Sequence, residues 1–355
     1  MTKRYFPHSL KTGALLGVAL FSAWAATAHA DQTTLYIGMN GGDMERAFTQ
    51  HVFPPFEKAH NVKVVVVPGT SADVLAKAQA YKAHPQMHVM FLDDGVMYRA
   101  ISMGLCEKMN PSPELSQLYP TARMKDGMAA AVDMGLTGVG YNTKMFKEKH
   151  WAPPTSWGDF ANPKYKGKVV MQSMSSSTYG LHAFLMFNRI EGGSAKNVNP
   201  GFSKWNDTIG KNVLEYISNS SKISEMVQTG EAGIFPLTFT AIARLAKRGQ
   251  PVAFAVPKEG PVLLSVGECV IAHNTQPKLA QELARYLLTP KAQELALKYS
   301  GNVPSNPNAK GGDADQQKYL DDFKKALKHA VVLDWDVINK NRPEWNVRWN
   351  RTVEQ

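Results

Sequence analysis

Five hydroxyl side chains, Ser173, Ser175, Ser176, Ser177 and Thr178, crowd between an apolar run at Lys168–Gln172 and a helical pattern that begins at Tyr179. Hydroxyl donors, free backbone N–H groups in a first helical turn and the positive end of the helix dipole all favour a negative group. A helix cap needs only one such hydroxyl. The surplus, with Tyr179 beside it, points to capture of a carboxylate, phosphate or phosphonate. Four other loops follow apolar runs: Asn40-Gly41-Gly42-Asp43, Gly69-Thr70-Ser71, Asp93-Asp94-Gly95 and Thr238-Phe239-Thr240. In open α/β sheets, ligands bind beyond the carboxyl ends of strands, where such loops lie.

Signatures of catalysis are missing. The chain has no G-x-S-x-G elbow, H-E-x-x-H, C-x-x-C or Walker loop. Gly38-Met39-Asn40-Gly41-Gly42 lacks dinucleotide-binding spacing, and His84 and His88 fall in different elements. Asp93 and Asp94 could serve as paired carboxylates, but adjacent side chains usually diverge. No enzyme, cofactor or metal is therefore expected. Cys106 and Cys269 are the only cysteines; one bridge and two buried thiols both remain open.

The elements that must position these loops alternate. Strands are predicted at Thr34–Met39, Val62–Val67, His88–Leu92, Gly135–Tyr141, Lys168–Gln172, Ala232–Leu237, Val252–Val256 and Leu263–Ala272. Between them lie helical patterns, including Tyr179–Ile190, Phe202–Ile217 and a stretch from Ala241 to Gly249, and two that begin at Pro277 and Pro290. Strand, loop and helix in repetition imply an α/β fold with a mostly parallel sheet. The tail with Trp335, Trp345 and Trp349 reads as a packing helix.

The N-terminus has Lys3, Arg4 and Lys11, an apolar run from Gly13 to Ala26, and Ala28-His29-Ala30. This is the order of a secretory signal, with cleavage expected after Ala30 and a periplasmic address. The run is too short and too interrupted for a membrane span. Removing three cations lowers the net charge from +10 to +7, and 325 of the 355 residues remain, enough for two lobes. The cations are scattered through helices, so nucleic acid is not an expected partner.

Ser156-Trp157-Gly158-Asp159-Phe160 and Pro163-Lys164-Tyr165-Lys166-Gly167-Lys168 resemble a segment of bacterial extracellular solute-binding proteins of ABC importers. The resemblance is to the group of polyamine, ferric-iron and aminoethylphosphonate receptors. Val139–Lys144, Val256–Gly260, Leu288–Gln293 and Gly301–Pro307 are similar to later landmarks in the same order. It implies a two-lobed, type II-like periplasmic binding fold with hinge crossings near 138, 262 and 303. Lobe 1 would hold 31–137 and 262–303, and lobe 2 would hold 138–261 and 304–355. The implied partners are a small-molecule solute and an inner-membrane ABC permease, with the receptor a monomer.

Matching positions also bear on the solute. Where polyamine receptors carry acidic and aromatic groups, this chain has Met174, Ser177, Ser265 and Gly267, and no tyrosine pair of ferric receptors occurs in Thr238–Arg248. An acidic solute is therefore expected at the serine loop. Asp43, Asp93, Asp94 and Glu268 leave room for an amine, so a zwitterion such as an aminoalkylphosphonate fits as well. A polyamine-binding receptor is the alternative, and a secreted hydrolase the more distant one.

Overall fold

The alternating and β-branched runs become strands of one mixed sheet in the computed structural model, which describes residues 32–218 and 220–354. The expected export signal lies outside these described residues. The strands are β1 (Thr33–Met39), β2 (Val62–Pro68), β3 (Val89–Asp93), β4 (Cys106–Glu107), β5 (Arg123–Met124), β6 (Ala129–Asn142), β7 (Val169–Gln172), β8 (Val213–Ile217), β9 (Ile234–Thr238), β10 (Val252–Ala255) and β11 (Val262–Ile271). Their order is β2-β1-β3-β11-β6-β9-β7-β8, with β10 and β5 on β6 and β4 on β11.

The first half packs α1 (Asp43–Ala47), α2 (Phe53–His60), α3 (Ser71–Ala80), α4 (Asp94–Ser102) and α5 (Pro113–Gln117) around its strands. The second half carries α6 (Thr143–Glu148), α7 (Thr178–Ile190), α8 (Asn199–Trp205), α9 (Ile209–Asn212), α10 (Lys222–Gln228) and α11 (Phe239–Lys247). The chain ends with α12 (Pro277–Leu287), α13 (Pro290–Ser300), α14 (Ala314–Leu327) and α15 (Trp335–Thr352). Between α1 and α2 the helix widens into a π-turn over Phe48–Val52. Pro54 and Pro55 begin the next segment without N–H donors, so the regular ladder cannot continue through them.

β1 runs parallel to both β2 and β3, and β7 parallel to both β8 and β9. Between these groups, β6 and β11 form a long antiparallel pair. The 14-residue β6 crosses from a first hydrophobic core, through Leu136, into a second that begins at Val139. Its glycines permit this passage. A Cβ at Gly138 would lie 2.4 Å from the Phe254 ring, and one at Gly140 2.4 Å from Phe235.

The first core gathers Leu35, Phe48, Phe53, Phe91, Leu136 and Leu283. The second gathers Trp157, Phe160, Phe184, Phe187, Trp205 and Trp349, and a smaller cluster with Val170, Phe235 and Ile242 lies under α10 and α11. Leu320, Phe323 and Ala326 of α14 belong to the first core. The third passage between halves therefore runs at Val331, whose N–H donates to the Pro261 carbonyl and whose carbonyl accepts from Leu263. The sequence had placed that crossing near 303. α15 packs in the second core, with Trp335, Trp345 and Trp349 buried as expected of a packing tail.

The expected helix over Phe202–Ile217 is instead α8, α9 and then β8. Val213-Leu214-Glu215-Tyr216-Ile217 is β-branched and aromatic, and β7 offers it a parallel edge. Pairing with the sheet overrides the weak helical period there. The cysteine question also has an answer: Cys106 and Cys269 form a disulfide, Cα–Cα 5.7 Å, between paired strands β4 and β11.

Candidate ligand-binding cleft

In the first half, parallel registry brings three loops to one edge. Met39 pairs with Pro68 and Gly38 with Met90, so the loops after β1, β2 and β3 emerge side by side. Asn40 is partly buried and Gly41 and Gly42 are exposed. Gly42 has φ +77°, which glycine adopts without strain. Asp43 is exposed and ion-paired with Arg46. Thr70 is occupied as the cap of α3, accepting from the Asp73 N–H at 3.2 Å while Asp73 accepts from the Thr70 N–H at 3.0 Å. Neither Asp43 nor Thr70 is therefore uncommitted.

Asp93 and Asp94 diverge. The Asp93 N–H donates to Ser71 Oγ at 3.0 Å, and burial raises the Asp93 carboxyl above its ordinary value. Asp94 turns inward and accepts from the Gly95 N–H at 2.8 Å, from the Ser265 N–H at 3.2 Å and from the Trp335 indole. Burial first, and then the Asp93 charge, push Asp94 up to about 8. The Ser265 hydroxyl is enclosed without a partner among the described residues. Glu268 is 0% exposed, both its oxygens lack partners among the described residues, and burial raises it well above its ordinary value. It is an enclosed acid, which does not match the expectation of a group facing a solute.

In the second half, the serine loop lies between β7 and α7. A Cβ at Gly180 would sit 2.2 Å from the Gln172 carbonyl, so the helix start rests directly on the strand end. Ser177 caps the helix, its Oγ accepting from the Tyr179 N–H at 3.2 Å. Ser173 and Ser175 share a hydroxyl bond of 3.0 Å. The Ser175 carbonyl accepts from Asn346 of α15 at 3.4 Å. Ser176 is exposed and Thr178 partly so, and neither hydroxyl has a partner among the described residues. A cavity of about 510 Å³ opens beside the loop, lined by Ser173, Ser175, Ser176, Lys222 and the carboxylates Glu215 and Glu354 among others, with Lys222 paired to Glu215. A recess of about 460 Å³ lined by Tyr36, Tyr81 and His88 lies apart from these loops, against β1 and α3.

Charges connect the two halves. The Tyr179 phenol is hydrogen-bonded to Thr238 and raised by burial, then by Asp93 across the cleft. Thr238 also caps α11, accepting from the Ala241 N–H at 3.2 Å. Tyr319 donates to Thr240 Oγ at 3.1 Å. Asp133 of β6 accepts from the Val303 N–H at 2.7 Å. Burial pushes Asp133 up to about 7, against the pull of the Arg244 guanidinium. Asp93, Tyr179, Thr238 and Thr240 lie near one another, with Asp133, Arg244 and Tyr319, which the sequence did not single out, beside them. Asp133 interrupts the apolar run Ala129–Leu136, a readable signal; Arg244 on a solvated helix face gave none.

α15 closes the other side. The Trp335 ring covers Gly95, where a Cβ would stand 2.7 Å from it, and Asn339 donates to the Gly95 carbonyl at 2.8 Å. Lys125 pairs with Asp336. His182, in the second turn of α7, bonds Thr137 Oγ1 at 2.9 Å and faces Trp335 with ring centroids 6.1 Å apart. Burial, then Arg342, hold the imidazole neutral, down to about 3. Among the described residues, no group of three or more His, Cys, Asp and Glu could hold a metal ion.

The family model described as bacterial extracellular solute-binding protein matches residues 52–326. An uncharacterised protein of Haemophilus influenzae is 25% identical over 258 residues, 70% of this chain and 71% of that one. A crystal structure of an ABC transporter from Clostridium perfringens superposes with a TM-score of 0.79 at 23% identity, covering 90% of this chain and 99% of that one. The periplasmic binding protein AfuA of Actinobacillus pleuropneumoniae, with fructose-6-phosphate bound, gives 0.69 at 21%, covering 91% and 99%. Iron-bound HitA of Pseudomonas aeruginosa gives 0.72 at 15%, covering 89% and 99%. The fold is the two-lobed periplasmic binding fold.

Proposed function

Because the chain belongs to the bacterial extracellular solute-binding proteins, which serve ABC transporters, we propose that it captures a small solute with an acidic group, a phosphonate, phosphate ester or carboxylate. The observation that carries this reading is the start of α7. There the uncommitted hydroxyls of Ser176 and Thr178 stand at the positive end of a 13-residue helix. A solute amine, where present, would be met by Asp93, with Asp133 behind it. The sugar phosphate of AfuA and the iron of HitA belong to those proteins; only the former shares the acidic-group chemistry proposed here.

The receptor works by closure and not by chemistry: hinge motion about β6, β11 and the passage at Val331 buries the solute between lobes. In this reading lobe 1 includes α14, and lobe 2 holds the serine loop and α15. The export signal is cleaved after Ala30, and the mature monomer loads an inner-membrane permease. No helix among the described residues is long and apolar enough to cross a membrane.

A thermal-shift screen of the mature protein against phosphonates, sugar phosphates, carboxylates and polyamines tests the reading. Ligands that bind only the folded state raise its melting temperature. Stabilisation by acidic solutes is the expected outcome. Stabilisation by spermidine alone would favour the polyamine reading, for which Asp93 and Asp133 supply the carboxyls; turnover of any solute would overturn the receptor reading.

A further inference from the structure

α15 presents Trp335, Asn339, Arg342 and Asn346 on one face, since these positions recur at helical spacing. Three of the four touch α4 or the serine loop. Trp335 and Asn339 hold Gly95 at the start of α4, and Asn346 holds the Ser175 carbonyl of the serine loop. Arg342, between them, is therefore placed between α4 and the serine loop. It lies close enough to His182 of α7 to act on its imidazole. From α4, Arg99 follows Gly95 by one helical turn and lies close enough to act on Arg342.

The nearby acids are already engaged. Asp336 is paired with Lys125, and Asp94 accepts from two backbone N–H groups and the Trp335 indole. Among the described residues, neither Arg342 nor Arg99 forms an ion pair. Arg342 is partly buried, and burial together with Arg99 lowers its proton affinity. A partly buried guanidinium without a counter-charge costs stability unless an anion joins it. Guanidinium groups present planar forks that match phosphonate and phosphate oxygens.

We infer that Arg342 and Arg99 clamp the solute's acidic group from α15 and α4 while the serine loop donates to it, and that this pair sets a preference for a doubly ionised phosphonate or phosphate over a carboxylate. The inference rests on the acidic-solute reading and adds residues from both lobes to the same site.

Calorimetric titration of the mature protein with 2-aminoethylphosphonate and with β-alanine, which share an amine and chain length but differ in acid, tests it. Wild type should bind the phosphonate at least about tenfold more tightly, the range of one charged hydrogen bond. Arg342→Gln should cost about tenfold to a hundredfold in phosphonate affinity and shrink the preference over β-alanine. Arg99→Gln, at an exposed side chain, keeps the fold and should weaken phosphonate binding in the same direction. It decides the matter if Arg342→Gln unfolds by circular dichroism. Phosphonate binding that Ser176→Ala weakens but neither arginine change alters would overturn the clamp and leave the acidic-solute reading standing. If neither compound nor inorganic phosphate binds wild type, the acidic-solute reading fails and takes the clamp with it.

Discussion

Ser176 and Ser177 are neighbours with the same side chain, yet their surroundings give them opposite expected phenotypes. Ser177 caps α7, its Oγ accepting from the Tyr179 N–H at 3.2 Å, and its own N–H donates to the Ser173 carbonyl at 2.9 Å. Losing such a cap costs about 1 kcal/mol. In a chain of this size that lowers Tm by roughly 2 °C. Ser176 is exposed and its hydroxyl has no partner among the described residues. Ser176→Ala should therefore leave unfolding within about 0.5 kcal/mol of wild type, as surface changes generally do. A hydrogen bond from that hydroxyl to an ionised ligand would contribute about 1.5–3 kcal/mol. Its removal should then raise Kd by tenfold or more. Denaturant unfolding without ligand and calorimetric titration with the best acidic solute measure the two effects separately. If Ser176→Ala binds like wild type, the serine loop does not grip the acidic group. A Ser176→Ala protein that loses stability instead would show that its hydroxyl serves the fold.

Other expectations follow from the described contacts. Replacing both Cys106 and Cys269 with Ser opens a loop with a sequence separation of 163 and should cost about 5 kcal/mol in the chain-entropy account, read as a lower denaturant midpoint. Asp94 and Asp133 keep their protons in the folded state above the pH at which the unfolded chain releases them. The folded state then binds more protons, so each group lowers stability as pH rises from about 4 to its folded value of about 8 or about 7. The slope is about 1.4 kcal/mol per pH unit for each group. His182, held down to about 3, opposes this only below its ordinary value of 6.5, so net stability should fall between pH 6.5 and 8. Asp133→Asn should remove this group's share of the loss, which lies between about pH 4 and 7, and leave the fall from 7 to 8 to Asp94; an unchanged profile below pH 7 would show that Asp133 is ionised in the fold. Gly140→Ala places a Cβ 2.4 Å from Phe235 and 2.8 Å from Ile242, and should destabilise by about 1–3 kcal/mol. A neutral result would show that β6 yields at this crossing.

Most of the α/β order is legible because its signals are local. β2 announces itself by a β-branched run, α12 and α13 by Pro277 and Pro290, and the end of α11 by Gly249 at φ +81°. β8 was missed because its identity depends on a partner: Val213–Ile217 is a strand only beside β7. Which core α14 covers is hidden for a related reason. Its apolar stripe shows that something is covered but not what, and here the first core is covered through Leu320 and Phe323. The disulfide lay beyond reach because Cys106 and Cys269 become neighbours only through pairing of β4 with β11.

The site shows the same division more sharply. Loops at strand ends could be found in order along the chain, since hydroxyls, glycines and acids mark them. Whether each side chain is available could not, because availability depends on partners. Asp43 is used in an ion pair and Glu268 is enclosed, while Thr70 serves as the helix cap that its place before a helical pattern allows. Arg342 was passed over inside a tryptophan-rich tail whose packing role is real. Trp335, Trp345 and Trp349 bury one stripe of α15, and the turn that they hold in place carries the partly buried Arg342. Under the proposed clamp, a packing helix and a binding helix are not alternatives. The apolar stripe positions the helix, and the charge at the stripe's edge is what a solute would meet.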